Sequence, residues 1–212
     1  MKKDLICFDL DNTLIDSERA HVLSYNEALK KNGFKEVKFE KMVKLFGRPN
    51  SEVVEILTGS KNEEIMEKVH KDHYKFLIEK NYKYAKIIDG VRNTLIKLKK
   101  NYEIAVLSNT SHNSIIALLK GAKLDKKLFD LLIGNDDVEK SKPWPDEILK
   151  AEKLLHHKAK FMVGDSIYDV IAGKKAKVKT IAVLSGRYTK KELNKHKPDY
   201  VIKEIKDILE II

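Results

Sequence analysis

Residues 6–16 read ICFDLDNTLID, and the way this stretch ends decides the fold. Leu5–Phe8 is a continuous apolar run without alternation, the pattern of a strand covered on both faces. It stops abruptly at two carboxylates, Asp9 and Asp11. A second stretch, FMVGDSIYDV at 161–170, does the same: Phe161–Val163 runs into Asp165 and Asp169. Further apolar runs lie at Tyr102–Leu107, Phe129–Ile133 and Thr180–Leu184. Between them fall helical patterns at Val91–Lys100, Ser114–Lys120, Pro145–Leu155 and Ile167–Ala176. Strands alternating with helices predict parallel βαβ units. The expected class is α/β, a Rossmann-like open parallel sheet flanked by helices.

Residues 17–85 break the alternation. Val22, Tyr25, Ala28 and Leu29 share one helical face; Ile65, Val69, His73, Phe76 and Leu77 share another. Ser60 and Glu63 have the spacing of a capping box ahead of the second helix. The expected organisation is therefore a core domain formed by 1–16 and 86–212, with 17–85 inserted as a small all-helical cap domain. Its connections fall near Asp16 and Lys86–Asp89.

Size and composition narrow the function. At 212 residues the chain can bury one large domain with a smaller insert. No apolar run approaches the roughly 20 residues of a membrane helix. Only four apolar residues lie between Asp4 and Asp9, too few for a signal peptide. Cys7 is the single cysteine, so no internal disulfide framework exists. A cytoplasmic setting without a membrane partner is expected. The formal net charge of +10 comes almost wholly from lysines interleaved with glutamates, as in KKNGFKEVKFEKMVK. They read as a solvated surface rather than a nucleic-acid footprint. Nothing in the sequence specifies an oligomeric state.

Ligands of open α/β sheets bind outside the carboxyl ends of the strands. The first strand ends at Asp9, the second at Ser108-Asn109, and the fourth at Asp165; Lys142 follows the third. All lie on one edge of the sheet. Asp9 and Asp11, two apart, point to the same side in an extended chain. Close carboxylates tolerate one another when a cation sits between them or one holds a proton. Mg²⁺ suits such a site, with Asp165 completing it. Lys142 and the Ser108 hydroxyl then remain to hold an anion, the combination that phosphoryl transfer requires.

These residues resemble the haloacid dehalogenase superfamily. FDLDNTL matches its first motif, LSNT at 107–110 the second, SKPWPD at 141–146 the third, and VGDSIYD at 163–169 the fourth. The insert resembles the helical cap of the phosphoglycolate phosphatase and β-phosphoglucomutase branch. The resemblance implies that Asp9 is the nucleophile and a Mg²⁺ ligand. Asp11 would be the general acid and base, its turn offering a carbonyl to the metal. Ser108 and Asn109 would bind the phosphoryl group, and Lys142 would neutralise it together with Asp9. Asp165 would ligate Mg²⁺, and Asp169 would act through water or by orienting Lys142. Arg48, in a loop between two cap helices, would be a specificity residue for a second phosphate or a carboxylate.

The implied activity is a Mg²⁺-dependent phosphatase for a small phosphorylated metabolite, working through an aspartyl-phosphate. A β-phosphoglucomutase-like phosphomutase needs the same core. Halide displacement is disfavoured by Asp11, which that branch lacks. A non-enzymatic phospho-aspartate signalling module brings similar groups together, but it is shorter, has no cap and carries its phosphorylated aspartate on another strand. Taken singly, Asp165 would read as a helix cap, Trp144 as packing beneath its loop, Cys7 as core, His73 as a partly buried cap residue, and His156 and His157 as surface.

Overall fold

The computed structural model describes residues 3–212. The strands are β1 (Asp4–Phe8), β2 (Ile15–Asp16), β3 (Lys86–Ile87), β4 (Tyr102–Leu107), β5 (Leu131–Ile133), β6 (Ala159–Gly164), β7 (Lys179–Val183) and β8 (Tyr200–Ile202). Six of them form one sheet in the order β5-β4-β1-β6-β7-β8, with every pairing parallel. The fold is thus a Rossmann-like α/β sheet flanked by helices. The apolar run of β1 is explained by its central place: Leu5, Ile6, Cys7 and Phe8 are all buried. Cys7 pairs with Ala105 on one side and Met162 on the other.

Five helices cover the sheet: α5 (Val91–Leu98), α6 (His112–Gly121), α7 (Asp146–Leu155), α8 (Ile167–Lys175) and α9 (Lys190–Lys195). One face of the sheet packs Ile6, Phe8, Val106, Val163 and Ile181 with Leu95, Ile115 and Leu118 from α5 and α6. The other packs Leu5, Cys7, Leu107 and Met162 with Ile148 and Ala151 of α7 and Ala172 of α8.

Between β2 and β3 lie α1 (Glu18–Lys31), α2 (Phe39–Met42), α3 (Asn50–Thr58) and α4 (Glu63–Glu79). The two strands pair antiparallel, Ile15 with Ile87 and Asp16 with Lys86, so the segment leaves and returns at adjacent points. Its helices have a cluster of their own, built from Val22, Tyr25, Leu29, Met42, Val53, Val54 and Val69. Its root is different: Ala20, Leu77 and Ala85 belong to the main core. Fully burying a leucine such as Leu77 stabilises by roughly 1.5–3 kcal/mol, which ties the base of the segment to the sheet.

Several local expectations need correction. Asn62, not Ser60, caps α4, accepting from Ile65 N–H at 3.2 Å. Asn62 follows Ser60 closely enough that the side chain nearer the first turn wins. Trp144 does not pack beneath its loop. The residue is 47% exposed, and its ring lies under Lys175 Nζ, 3.8 Å from the ring centroid. His73 is fully rather than partly buried.

Candidate active site

The sheet register assembles the site. Phe8 pairs with Val106 and with Val163. Continuing each strand by one or two residues brings Asp9, Ser108 and Asp165 to the same edge. Asp9 N–H donates to Val163 C=O at 2.8 Å, and Ser108 N–H to Ile133 C=O at 3.0 Å. Both chain ends are therefore fixed as they leave the sheet. Asp9, Asp11, Ser108, Asn109, Lys142, Asp165 and Arg48 all line one small cavity of about 70 Å³.

Lys142 is its electrostatic centre. The ammonium is buried and donates to Asp9 Oδ1 (2.6 Å), Asp169 Oδ1 (2.8 Å) and Leu107 C=O (2.9 Å), using all three protons. Burial pulls its pKa down, but Asp169 and Asp9 outweigh that and hold it well above the ordinary value. It stays charged. Asp169 is fully engaged: its second oxygen takes Ser166 N–H at 3.1 Å and Ser166 Oγ–H at 2.6 Å, in the capping box of α8. It orients Lys142.

Asp9, Asp165 and Asp169 each offer an oxygen within 4.8 Å of the others. One ammonium cannot neutralise three buried carboxylates. Burial drives the Asp9 carboxyl well above its usual range despite Lys142, and it pushes Asp165, with help from Asp169, up to about 8. Thr13 donates to Asp165 Oδ1 at 3.1 Å. Among the described residues nothing donates to Asp9 Oδ2 or Asp165 Oδ2. Two such oxygens in a carboxylate-rich pocket fit a hard divalent cation. Glycines make room for this crowding. A Cβ at Gly186 would overlap Asp165 Oδ2, and one at Gly164 would overlap the Asp169 carboxylate.

Asp11 stands apart from that cluster. Its Oδ1 accepts from Ser17 Oγ and from His21 Nε2 at 3.2 Å, and its Oδ2 from Ser108 Oγ at 3.1 Å. Burial alone would raise its pKa, but these donors and the nearby His21 lower it below the usual value. Its carboxylate is turned towards α1. Leu10 C=O is taken by the N–H groups of Leu14 and Ile15, at 2.9 and 3.1 Å. Asp11 C=O, the carbonyl that the family resemblance offers to the cation, takes no N–H among the described residues. Asn109 is also placed differently from the simple expectation. Its Nδ2 donates to Lys142 C=O at 3.1 Å, while its Oδ1 is buried without a partner. Its backbone N–H and the second Nδ2 proton remain to serve an anion.

Sequence reading gave no site role to His21, Tyr25, Asn50 or the two glycines. His21 leans on His73, Nδ1 to Nε2 at 3.1 Å, and His73 stacks on Tyr25 at 3.7 Å between ring centroids. His21 and Tyr25 lie four apart on α1, a spacing that marks a shared face but not which face meets the cavity. Arg48 lines the cavity from the α2–α3 loop, is ion-paired with Glu52, and has a buried Nε without a partner.

A family model for haloacid dehalogenase-like hydrolases matches residues 6–183. A protein carrying the name PpaX from Caldanaerobacter subterraneus subsp. tengcongensis is 34% identical over 216 residues, covering 100% of this chain and 96% of that one. Pyrophosphatase PpaX of Bacillus mycoides is 31% identical over 218 residues, covering 100% and 98%. The solved structure of a predicted phosphoglycolate phosphatase from Haemophilus somnus shares the fold, with a TM-score of 0.85, 23% identity, and coverage of 100% of this chain and 98% of that one. The chain belongs to the haloacid dehalogenase-like hydrolases, and it is an enzyme of their phosphatase type.

Proposed function

We propose that the protein is a Mg²⁺-dependent phosphatase acting on a small phosphorylated metabolite through an aspartyl-phosphate on Asp9. The observation that carries this reading is the buried Lys142 ammonium held between Asp9 and Asp169, with Asp165 beside them. Asp9 Oδ2, Asp165 Oδ2 and Asp11 C=O would hold the cation. When bound, Mg²⁺ supplies positive charge that keeps both carboxylates ionised and steadies the charge growing on the phosphoryl oxygens.

In the first step an Asp9 oxygen forms a bond to phosphorus and the bond to the leaving oxygen breaks. That oxygen takes a proton from Asp11 in its protonated form. Lys142, the Ser108 hydroxyl and Asn109 N–H stabilise the charge on the equatorial oxygens. In the second step Asp11 accepts a proton from water as the water oxygen bonds to phosphorus. The bond to Asp9 breaks and inorganic phosphate is released. The donors from Ser17, His21 and Ser108 favour ionised Asp11, the form the second step uses.

The inserted helices act as a cap domain, with residues 17–85 closing over the site and choosing the substrate. The cavity is lined by the inserted segment as well as by the sheet edge, His21, Tyr25, Phe46 and Arg48 joining Asp9 and Ser108. A β-phosphoglucomutase-like phosphomutase needs the same core, and assay with and without a sugar bisphosphate separates the two. The names of the relatives point to pyrophosphate or phosphoglycolate, in which a second anion sits next to the phosphoryl group. Arg48 is the cap residue suited to it. Screening phosphate release from small phosphorylated metabolites, with Mg²⁺ and with EDTA, tests the reading. Release should vanish in EDTA and return with Mg²⁺, whereas undiminished release in EDTA would sink the mechanism.

A further inference from the structure

Asn50 and Tyr74 belong to the inserted helices, yet their polar groups end on the loop that receives the phosphoryl group. Asn50 Nδ2 spends one proton on Asn109 C=O at 2.6 Å and the other on Tyr74 Oη at 2.6 Å. Its Oδ1 accepts from Tyr25 Oη at 3.4 Å. Tyr74 Oη accepts a second amide proton, from Asn135 Nδ2 at 3.0 Å. Having accepted twice, the phenol has its own proton left to give. Near it lies Thr110 Oγ1, buried and without a hydrogen-bond partner of ordinary geometry.

Asn109 C=O and Thr110 N–H belong to one peptide unit. Asn50 holds its oxygen, and Ser108 Oγ accepts its N–H at 3.2 Å. With both ends held this peptide plane cannot rotate, and the unit that carries the Asn109 N–H joins it directly, through the Asn109 Cα.

We infer that Asn50 and Tyr74 are positioning residues that fasten α3 and α4 to Ser108–Thr110, so that closure of the inserted helices sets the orientation of the phosphoryl-binding loop. The role assigned to that loop rests on the proposed phosphatase function; the fastening does not. An anion on the loop and a closed cap then reinforce one another, because each is tighter when the other is present.

The test uses the full chain with Asn50→Ala and, independently, Tyr74→Phe, which keeps the ring and removes only the hydroxyl. Amide hydrogen exchange is followed without ligand over 105–112 and over β1. Exchange over 105–112 should quicken about tenfold in both variants, the weight of one or two hydrogen bonds, while Leu5–Phe8 keeps its protection. Affinity for inorganic phosphate with Mg²⁺ should fall about tenfold. KM for p-nitrophenyl phosphate should rise, with the pH profile unmoved. Parent-like exchange over 105–112 in both variants overturns the inference, as does faster exchange with unchanged phosphate affinity. Equal loosening of β1 also overturns it, since the pair would then only support the fold. A parent protein that binds no phosphate would refute the phosphatase reading instead, and the exchange result would still decide the fastening.

Discussion

Glu147 should make this protein less stable as pH rises through neutrality. It lies in the first turn of α7, fully buried, and neither carboxylate oxygen has a hydrogen-bond partner of ordinary geometry. The groups facing it are Lys142 in the preceding loop, Asp169 on α8, Cys7 on β1 and its neighbour Asp146. Burial pushes its pKa from 4.5 up to about 7, with Lys142 pulling it down and Asp169 and Asp146 pushing it up. The folded state thus binds this proton more tightly than the unfolded chain. Its stabilising effect is complete below pH 4.5 and is lost as pH rises towards 7. At 1.36 kcal/mol per pKa unit, the loss amounts to about 3 kcal/mol. Glu147→Gln keeps the shape and removes the charge. Urea unfolding at pH 5, 7 and 8.5 should give parent and variant nearly equal stability at the lowest pH. At the highest pH the variant's midpoint should lie on the order of 1 M above the parent's. The raised Asp9 and Asp165 carboxyls bend both curves alike, so the difference between the proteins isolates Glu147. A difference that does not change between pH 5 and 8.5 would refute the argument.

Asp9→Asn should form no phosphoenzyme from any substrate, checked by rapid quench with labelled substrate. Asp11→Asn should release up to one equivalent of p-nitrophenol from p-nitrophenyl phosphate and then stall. With an alkyl phosphate it should hardly start, because acid–base help is worth roughly 10²–10⁴-fold per step; stopped-flow absorbance separates the two. Arg48→Ala should change the preference among metabolites while leaving p-nitrophenyl phosphate hydrolysis nearly intact, whereas equal loss on all substrates would assign Arg48 to the fold. Gly186→Ala forces Asp165 Oδ2 to move. The Mg²⁺ concentration giving half-maximal activity should then rise at least tenfold while the circular dichroism spectrum stays that of the parent.

The sheet was legible because a buried parallel strand leaves an unambiguous trace. Leu5–Phe8 could be read as covered on both faces from its lack of alternation alone, and the placing of Asp9, Ser108, Lys142 and Asp165 on one edge followed from where the strands end. Short elements left no such trace. Tyr200–Ile202 is an edge strand of three residues, and Ile15–Asp16 with Lys86–Ile87 form strands of two, below the length at which a period can be recognised. The surroundings of each site residue were not readable either. Asp11 facing His21 and Ser17, and Asn109 spending its side-chain amide on Lys142, follow from how α1 and the Lys142 loop pack. Such choices are made by side chains distant in sequence. Glycine carries no pattern of its own, so the need for Gly186 against Asp165 appears only once the chain has closed on itself. Trp144 misled because an aromatic ring in a proline-bounded loop suggests burial, while two lysines, Lys140 and Lys175, accommodate its face at the surface.

The pairing of Ile15 with Ile87 and of Asp16 with Lys86 means that, for the sheet, everything between them is a single loop whose ends are already neighbours. Closing such a loop costs entropy that grows only with the logarithm of its length, about 0.6 kcal/mol per doubling. The core is therefore almost indifferent to how long the intervening segment is. What constrains the segment is its root, where Ala20, Leu77 and Ala85 sit among the core side chains. Beyond that root, the stem isolates the sheet from insertions, deletions and wholesale exchange of helices, so one stretch of chain can be rewritten without re-solving the packing of the sheet.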